Sequence, residues 1–441
     1  MSKNRPNVVI FFSDQQRADS LGINGNPMNI TPNLDRAAVE GTNIPYAFSP
    51  QPVCLPARAC LQTGYYASQI GCDTNNGMLP EDVPKLADYF NDAGYRTGYI
   101  GKWHLHQTKN IIFDKPQGGY QYWLAENISE FVSDAYNTVL HDGEGREHSL
   151  PGYRVDAVTD AAIRYIDEVR DEPFMMMVSH LEPHHQNHRD AYPAPHGYEE
   201  MYNDPWTPPD LKTLGGSSAR HLPGYYGMIK RLDEAYGRLL DALRSRGILE
   251  NTIVLYSSDH GCHFKTRNGE YKRSCHDAST RIPMVITGGP FNSGGQLRDL
   301  VSLVDIPSTL LDACGIEVPA HMMGRSILPL LKGERDGWPQ EVYTEISESH
   351  TGRCIRTKRW KYSIRKTGEN RYTEDFLYDL ENDPWELDNL IGMVSFKEIR
   401  DDLKKRLLSK MKETGQTVPE IEDAPVKDHF MRTLEPEEWH G

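Results

Sequence analysis

Four short apolar runs in this 441-residue chain each end abruptly in polar residues able to do chemistry, and that recurrence limits the folds open to it. Val8–Phe12 is followed by Ser13-Asp14-Gln15-Gln16, and Thr97–Ile100 by Gly101-Lys102-Trp103-His104. Phe174–Val178 precedes Ser179-His180 and then Glu182-Pro183-His184-His185, while Ile253–Tyr256 precedes Ser257-Ser258-Asp259-His260-Gly261. Between these runs lie helical patterns at Pro84–Ala93, Arg154–Val169 and Tyr225–Arg246, the last with Leu232, Tyr236, Leu239, Leu240 and Leu243 at helical spacing. Gly94 and Gly247 serve as C-terminal stops. Apolar strands alternating with amphipathic helices predict an α/β fold whose large, mostly parallel sheet is sandwiched by helices. Such sheets bind ligands at the carboxyl ends of their strands. The four polar clusters should therefore converge on one edge, as a site containing acids, a lysine and several histidines.

The length suits one large domain and a smaller one. Arg281–Gly289 reads as another buried strand and Leu300–Cys314 as the helix after it. The polar, glycine-punctuated stretch Leu331–Gly337 marks a boundary, dividing the chain into 1–335 and 336–441. Beyond it come strand candidates at Glu341–Ile346, Arg353–Thr357, Trp360–Ile364 and Phe376–Asp379, then a helix at Phe396–Glu413. That pattern predicts a small antiparallel sheet with one helix. A net charge of −15 argues against nucleic-acid partners and anionic membranes, so an anionic substrate would need a local basic pocket. The apolar run after Met1–Pro6 is too short for a signal-peptide core, and no stretch reaches membrane-span length. The expectation is a cytoplasmic protein, periplasmic if a leader was removed. Seven cysteines, scattered and odd in number, show neither metal-knuckle spacing nor a disulfide framework, and read as reduced thiols.

The stretch Val53–Gly64 reads as a short helix, with Pro56 suited to its first turn and Gly64 to its stop. Cys54 then sits just before that helix, where its partial positive charge would stabilise an anionic transition state. Arg58, one turn on, would aim its guanidinium back at Cys54. This Cys-x-Pro-x-Arg pattern resembles the type I sulfatases of the alkaline phosphatase superfamily. The resemblance spans essentially the whole chain, in family order: Asp14-Gln15, Cys54–Arg58, Gly101–His104, His180, Asp259-His260-Gly261, and Lys272 ahead of Arg281-Ile282-Pro283. It implies that a formylglycine-generating maturase oxidises Cys54, whose hydrated aldehyde becomes the nucleophile. It further implies one divalent cation, Ca2+ with Mg2+ or Mn2+ as alternatives, held by Asp14, Asp259, His260 and an oxygen of matured Cys54. Gln15 stands where many sulfatases carry a second aspartate and is a further candidate ligand. Arg58 would hold the formylglycine, His104 its diol, and Lys102 both the diol and the sulfate. Lys272 and His180 would bind sulfate and help protonate the leaving alkoxide.

Two stretches are candidates for reading the rest of a substrate. His180–His196 holds five histidines and Arg189, and His263–Arg281 is rich in lysine and arginine. His184, His185, Arg189, Arg267 and His276 are the substrate-binding candidates. Clustered histidines invite a zinc reading, but adjacent His184 and His185 cannot both face one point from regular structure. Arg281 is assigned to the fold, and His350, Arg353 and Arg365 to a solvated edge strand in preference to a sugar contact. The expected function is sulfuric ester hydrolysis on a sulfated carbohydrate or other small organic sulfate. A phosphonate monoester or phosphodiester hydrolase of the same superfamily is the alternative. A binding protein that lost catalysis is weakened by the presence of the nucleophile, its arginine and both lysines. The oligomeric state stays open.

Overall fold

The computed structural model describes residues 5–107, 117–292 and 295–426. Among the described residues, nine strands form the main sheet. Their order is Thr42–Asn43, Met284–Thr287, Thr252–Ser258, Asn7–Ser13, Phe174–Ser179, Arg96–Lys102, Tyr122–Glu126, Thr138–Asp142 and Glu147–Leu150. The five central strands, from Thr252–Ser258 to Tyr122–Glu126, run parallel, and the strands at both edges pair antiparallel. The sheet is therefore parallel where the site sits and mixed at its margins.

The apolar runs are continuous because both faces of these strands are covered. Val8, Ile10 and Phe12, with Ile253, Leu255, Met175 and Met177, pack against helices Cys54–Thr63, Leu86–Asp92 and Asp305–Ala313. The intervening Val9 and Phe11, with Val254, Tyr256, Met176 and Val178, face helices Pro32–Glu40, Arg154–Val169 and Ser218–Ser245. Each fully buried side chain of this kind contributes about 1.5–3 kcal/mol, so the two-sided core anchors the strand ends firmly.

Two expected elements break differently. Arg281–Gly289 is not one strand: Arg281–Ile282 joins a three-stranded sheet with Ala47–Phe48 and Val301–Ser302, whereas Met284–Thr287 enters the main sheet. Pro283 sits at the switch, where its missing N–H removes a ladder donor. The helix expected from Leu300 begins only at Asp305, because Val301–Ser302 pairs with Ala47–Phe48.

In the second sheet, Glu341–Ile346, Gly352–Thr357, Trp360–Gly368 and Arg371–Asp379 pair antiparallel, and Glu420–Glu422 adds a parallel edge. Helix Lys397–Glu413 covers one face through Leu403, Leu407 and Met411, which meet Tyr343, Ile355 and Tyr362. Arg353 lies on an interior strand, not at an edge; it is buried and donates to the Ile346 and Gly352 carbonyls and to Gln416. Residues 427–441 of the expected second domain lie outside the described residues.

Candidate active site

The parallel strands discharge their polar clusters at one end of the sheet, as the sequence pattern predicts. Asp14 and Gln15 leave Asn7–Ser13, and the left-handed backbone of Gln15 (φ 67°) turns the chain sharply at the strand exit. Asp259 leaves Thr252–Ser258, and its Oδ1 accepts the backbone N–H groups of Gln15 (3.1 Å) and His260 (2.9 Å). Lys102 ends Arg96–Lys102, and His104 follows with a left-handed backbone (φ 49°). The glycine before Lys102 is required: Gly101 has φ 102°, and a Cβ there would lie 2.1 Å from the Ser179 carbonyl oxygen.

Cys54 is the first residue of its helix, fully buried, and the Asn75 side chain accepts the neighbouring Leu55 N–H at 3.2 Å. Arg58 does not reach back to the thiol as expected. Its guanidinium donates to Asp14 Oδ2 (3.0 Å), Asp259 Oδ2 (3.1 Å), the Lys102 carbonyl (3.1 Å) and Ser179 Oγ (2.7 Å). It thereby rivets four strand ends to one helix, and orients position 54 through the carboxylates.

Three cationic or imidazole groups close on the Cys54 sulfur. Lys272 Nζ lies 2.9 Å away, His260 Nε2 3.3 Å and Lys102 Nζ 4.0 Å. Burial alone would push the thiol up, but Lys102, Lys272 and His260, with a His104 hydrogen bond, hold it well below the usual thiol range. Lys272 Nζ is also 2.9 Å from His184 Nε2, and His184 Nδ1 lies 2.6 Å from the His185 carbonyl. Nδ1 therefore carries that ring's proton, and Nε2 accepts from the ammonium. Burial and then Lys272 keep the His184 imidazole below its usual range, hence neutral. Glu130 anchors the opposite side, with Lys102 Nζ at 2.9 Å and His104 Nδ1 at 3.7 Å. Burial opposes ionisation of Glu130, yet Lys102, His104 and His184 hold it down to about 2.

Asp14, Cys54, Asp259 and His260 place one ligand atom each within 4.8 Å of one another, all buried. His260 Nδ1 bonds the Gly261 carbonyl at 2.9 Å, which leaves the Nε2 lone pair facing Asp14 Oδ1 (3.5 Å) and Asp259 Oδ1 (3.6 Å). A backbone carbonyl holding one ring nitrogen while the other faces carboxylates is the usual support of a metal-binding imidazole. Burial and the neighbouring Asp14 push Asp259 up to about 7, whereas at Asp14 burial is overcome by Lys102, His184 and Arg58, which hold that carboxyl below the usual carboxylate range. Gln15 donates its amide N–H to Tyr192 Oη at 3.0 Å and leaves its carbonyl oxygen buried without a partner. Two carboxylates, an imidazole and an orphaned amide oxygen fit a divalent cation.

Above this cluster opens a cleft of about 440 Å³, lined by His104, His184, His185, Glu130, Tyr271 and Lys272 among others. His180, expected to bind sulfate, does not reach it. Its ring packs on Phe11 with centroids 4.5 Å apart, both ring nitrogens lack partners, and burial followed by Arg154 lowers it to about 3. His184 occupies the expected position four residues later. His184 and His185 share one wall where the chain leaves regular structure; their rings stack at 4.5 Å and 14°.

The other substrate-binding candidates separate. Arg189 is exposed and paired with Asp134 at 3.1 Å. Arg267 donates to the Trp385 carbonyl at 3.0 Å, and His276 lies 3.2 Å from Tyr378 Oη; both line a different cavity, against the second sheet. Glu130 was missed because the apolar run of Tyr122–Glu126 is short. The signal existed, since Asn127 to Glu130 follow that strand just as polar clusters follow the other four.

Residues 6–316 match the Sulfatase family, and residues 269–413 match the C-terminal region of N-sulphoglucosamine sulphohydrolase. The uncharacterized sulfatase YidJ of Escherichia coli (strain K12) is 31% identical over 92% of this chain and 87% of its own length. The ulvan-active sulfatase of Formosa agariphila is 30% identical over 93% of this chain and 82% of its own. The crystal structure of yidJ from Bacteroides fragilis superposes with a TM-score of 0.84 at 25% identity, covering 95% of this chain and 98% of that one.

Proposed function

This chain belongs to the sulfatase family and is an enzyme that hydrolyses sulfate esters, and from that premise we propose that it removes sulfate from a sulfated carbohydrate with a formylglycine formed at Cys54. The observation that carries this reading is Lys272 Nζ standing 2.9 Å from both Cys54 Sγ and His184 Nε2 at the base of the cleft. The ulvan-active relative supports a carbohydrate substrate. Both named relatives are sulfatases, and the phosphonate alternative finds no such support.

Oxidised by a maturase, position 54 would supply an aldehyde hydrate as an oxygen nucleophile for sulfur. A divalent cation on Asp14, Asp259, His260 and the Gln15 amide oxygen would supply Lewis acidity to an ester oxygen; the oxygen-rich set favours Ca2+, while the imidazole leaves room for Mg2+ or Mn2+. The residues around position 54 do the rest. Lys272 and Lys102 present ammonium groups to the sulfuryl oxygens, where negative charge builds in the transition state. His104, backed by Glu130, holds the nucleophile's hydroxyl in line. Lys272, whose ammonium is oriented by the neutral His184 ring, delivers the proton to the leaving alkoxide.

The test compares an aryl sulfate, an aryl phosphonate monoester and a panel of sulfated sugars, using enzyme co-expressed with a maturase. Sulfate release should exceed phosphonate turnover, and Cys54→Ala should lower it by roughly a thousandfold or more. Undiminished release by Cys54→Ala, or faster phosphonate turnover, would overturn the proposal.

A further inference from the structure

Among the described residues, the cleft beyond the sulfate site is poor in free positive charge. The stretch from His263 to Arg281 was expected to supply a basic wall, yet its cations are already matched. Lys265 Nζ pairs with Asp190 at 3.1 Å and lies 4.7 Å from the centre of the Tyr271 ring. Arg273 is held by two carboxylates, Glu348 at 2.6 Å and Glu270 on its own segment. Arg267 faces the other cavity and Arg281 donates to the Pro45 carbonyl at 2.7 Å. Of the lysines and arginines that line the cleft among the described residues, Lys272 alone is not held by a carboxylate, and it stands at the base beside Cys54. Summed over Lys265, Asp190, Arg273, Glu270 and Glu348, the rim carries one more negative than positive group.

Apart from Glu130, which is paired with Lys102 at 2.9 Å, the other described residues of the wall are without a carboxylate or ammonium. Asn75, Asn76 and Gln107 present amides, and His106 and His185 present imidazole rings. Tyr271 contributes an aromatic ring. Amides donate to and accept from hydroxyl groups, and a ring packs on the apolar face of a sugar. Neither compensates an anion. A second sulfate or a uronate at this wall would have to displace Asp190 from Lys265, or Glu270 and Glu348 from Arg273. Those carboxylates would then stand next to the incoming charge.

Resting on the reading of Cys54 chemistry above, we infer that the substrate is a sugar carrying a single sulfate and otherwise uncharged, and that the paired carboxylates of the rim reject a second anionic group. A cleft of about 440 Å³ is suited to one or two sugar rings.

The experiment measures kcat/KM for N-acetylglucosamine 6-sulfate, glucosamine 2-N,6-O-disulfate and a monosulfated disaccharide containing a uronate, with a neutral aryl sulfate as reference. The uncharged monosulfated sugar should lead both others by roughly tenfold at low ionic strength, and the gap should narrow as salt screens the rim. Glu270→Gln frees part of the Arg273 charge and Asp190→Asn that of Lys265, so each should narrow the ratio of mono- to disulfated turnover several-fold. Equal or faster turnover of the disulfated or uronate substrate by the wild-type enzyme overturns this inference, while Cys54-dependent aryl sulfate turnover leaves the reaction class standing. Ratios unmoved by both variants and by salt also overturn it. Absence of all Cys54-dependent sulfate release removes the underlying reading and the inference with it.

Discussion

Lys272 is shared between Cys54 and His184, so truncating either lysine or histidine disturbs the same cation at the point of bond cleavage. Lys272→Ala and His184→Ala should each lower kcat/KM on an aryl sulfate by roughly 10²–10⁴, the usual weight of a positioned acid. His180→Phe should stay within a few-fold of wild type, because that ring packs on Phe11 and touches no group of the cluster. A large loss in His180→Phe with none in His184→Ala would reverse the assignment. At the metal cluster, the expectation is thermal. Adding Ca2+, Mg2+ or Mn2+ to chelator-treated protein should raise Tm, since saturation at a hundred times Kd is worth about 2.7 kcal/mol. His260→Ala should reduce that shift, and a Tm indifferent to all three ions would exclude a structural cation there.

At the scale of elements, Asp233 joins two helices that the strand pattern alone does not relate. From within Ser218–Ser245 it accepts the Leu34 N–H at 2.8 Å and the Asn33 N–H at 3.2 Å, capping Pro32–Glu40 from outside. Burial pushes its carboxyl up from 3.8 to about 6, so folding favours the protonated form. The folded protein then holds more protons than the unfolded chain between those values, and stability falls as pH rises through that window. With about 1.4 kcal/mol per unit, wild type should lose about 2 kcal/mol relative to Asp233→Asn between pH 4 and pH 6. Urea unfolding of both proteins across that range checks the sign, and a flat difference would refute it. Helix Cys54–Thr63 was legible from Pro56 and Gly64, because both act on the backbone locally. Helix Pro32–Glu40 carries similar local marks in Pro32 and Gly41, but its docking depends on Asp233, about 200 positions away.

For the whole molecule, a buried charge cluster ties the second sheet to the segment just beyond Lys272. Lys361 Nζ lies 2.5 Å from Asp277 and 2.5 Å from Glu386, and all three side chains are largely buried. Breaking a buried pair strands its partner charges and costs about 3–5 kcal/mol. Lys361→Met should therefore shift the denaturation midpoint downward by about that free energy, whereas unchanged stability would show the cluster to be energetically neutral. The same contact explains why His276, read as a substrate-binding candidate, belongs instead to the seam between the sheets. Nothing local in the sequence marks which sheet face becomes a seam.

The sequence by itself determined the strand exits, and so the convergence of Asp14, Lys102 and Asp259 on one edge. Alternation and polar punctuation are properties of contiguous residues, and a parallel sheet brings equivalent ends together whatever the strand order. Only the tertiary structure decided the partners: Arg58 with Asp259 across 201 positions, Lys272 with Cys54 across 218, and His184 in place of His180. Those choices depend on strand order and on the path of turns such as Leu181–His185. Both are settled by packing between distant elements, and neither is written in local periodicity.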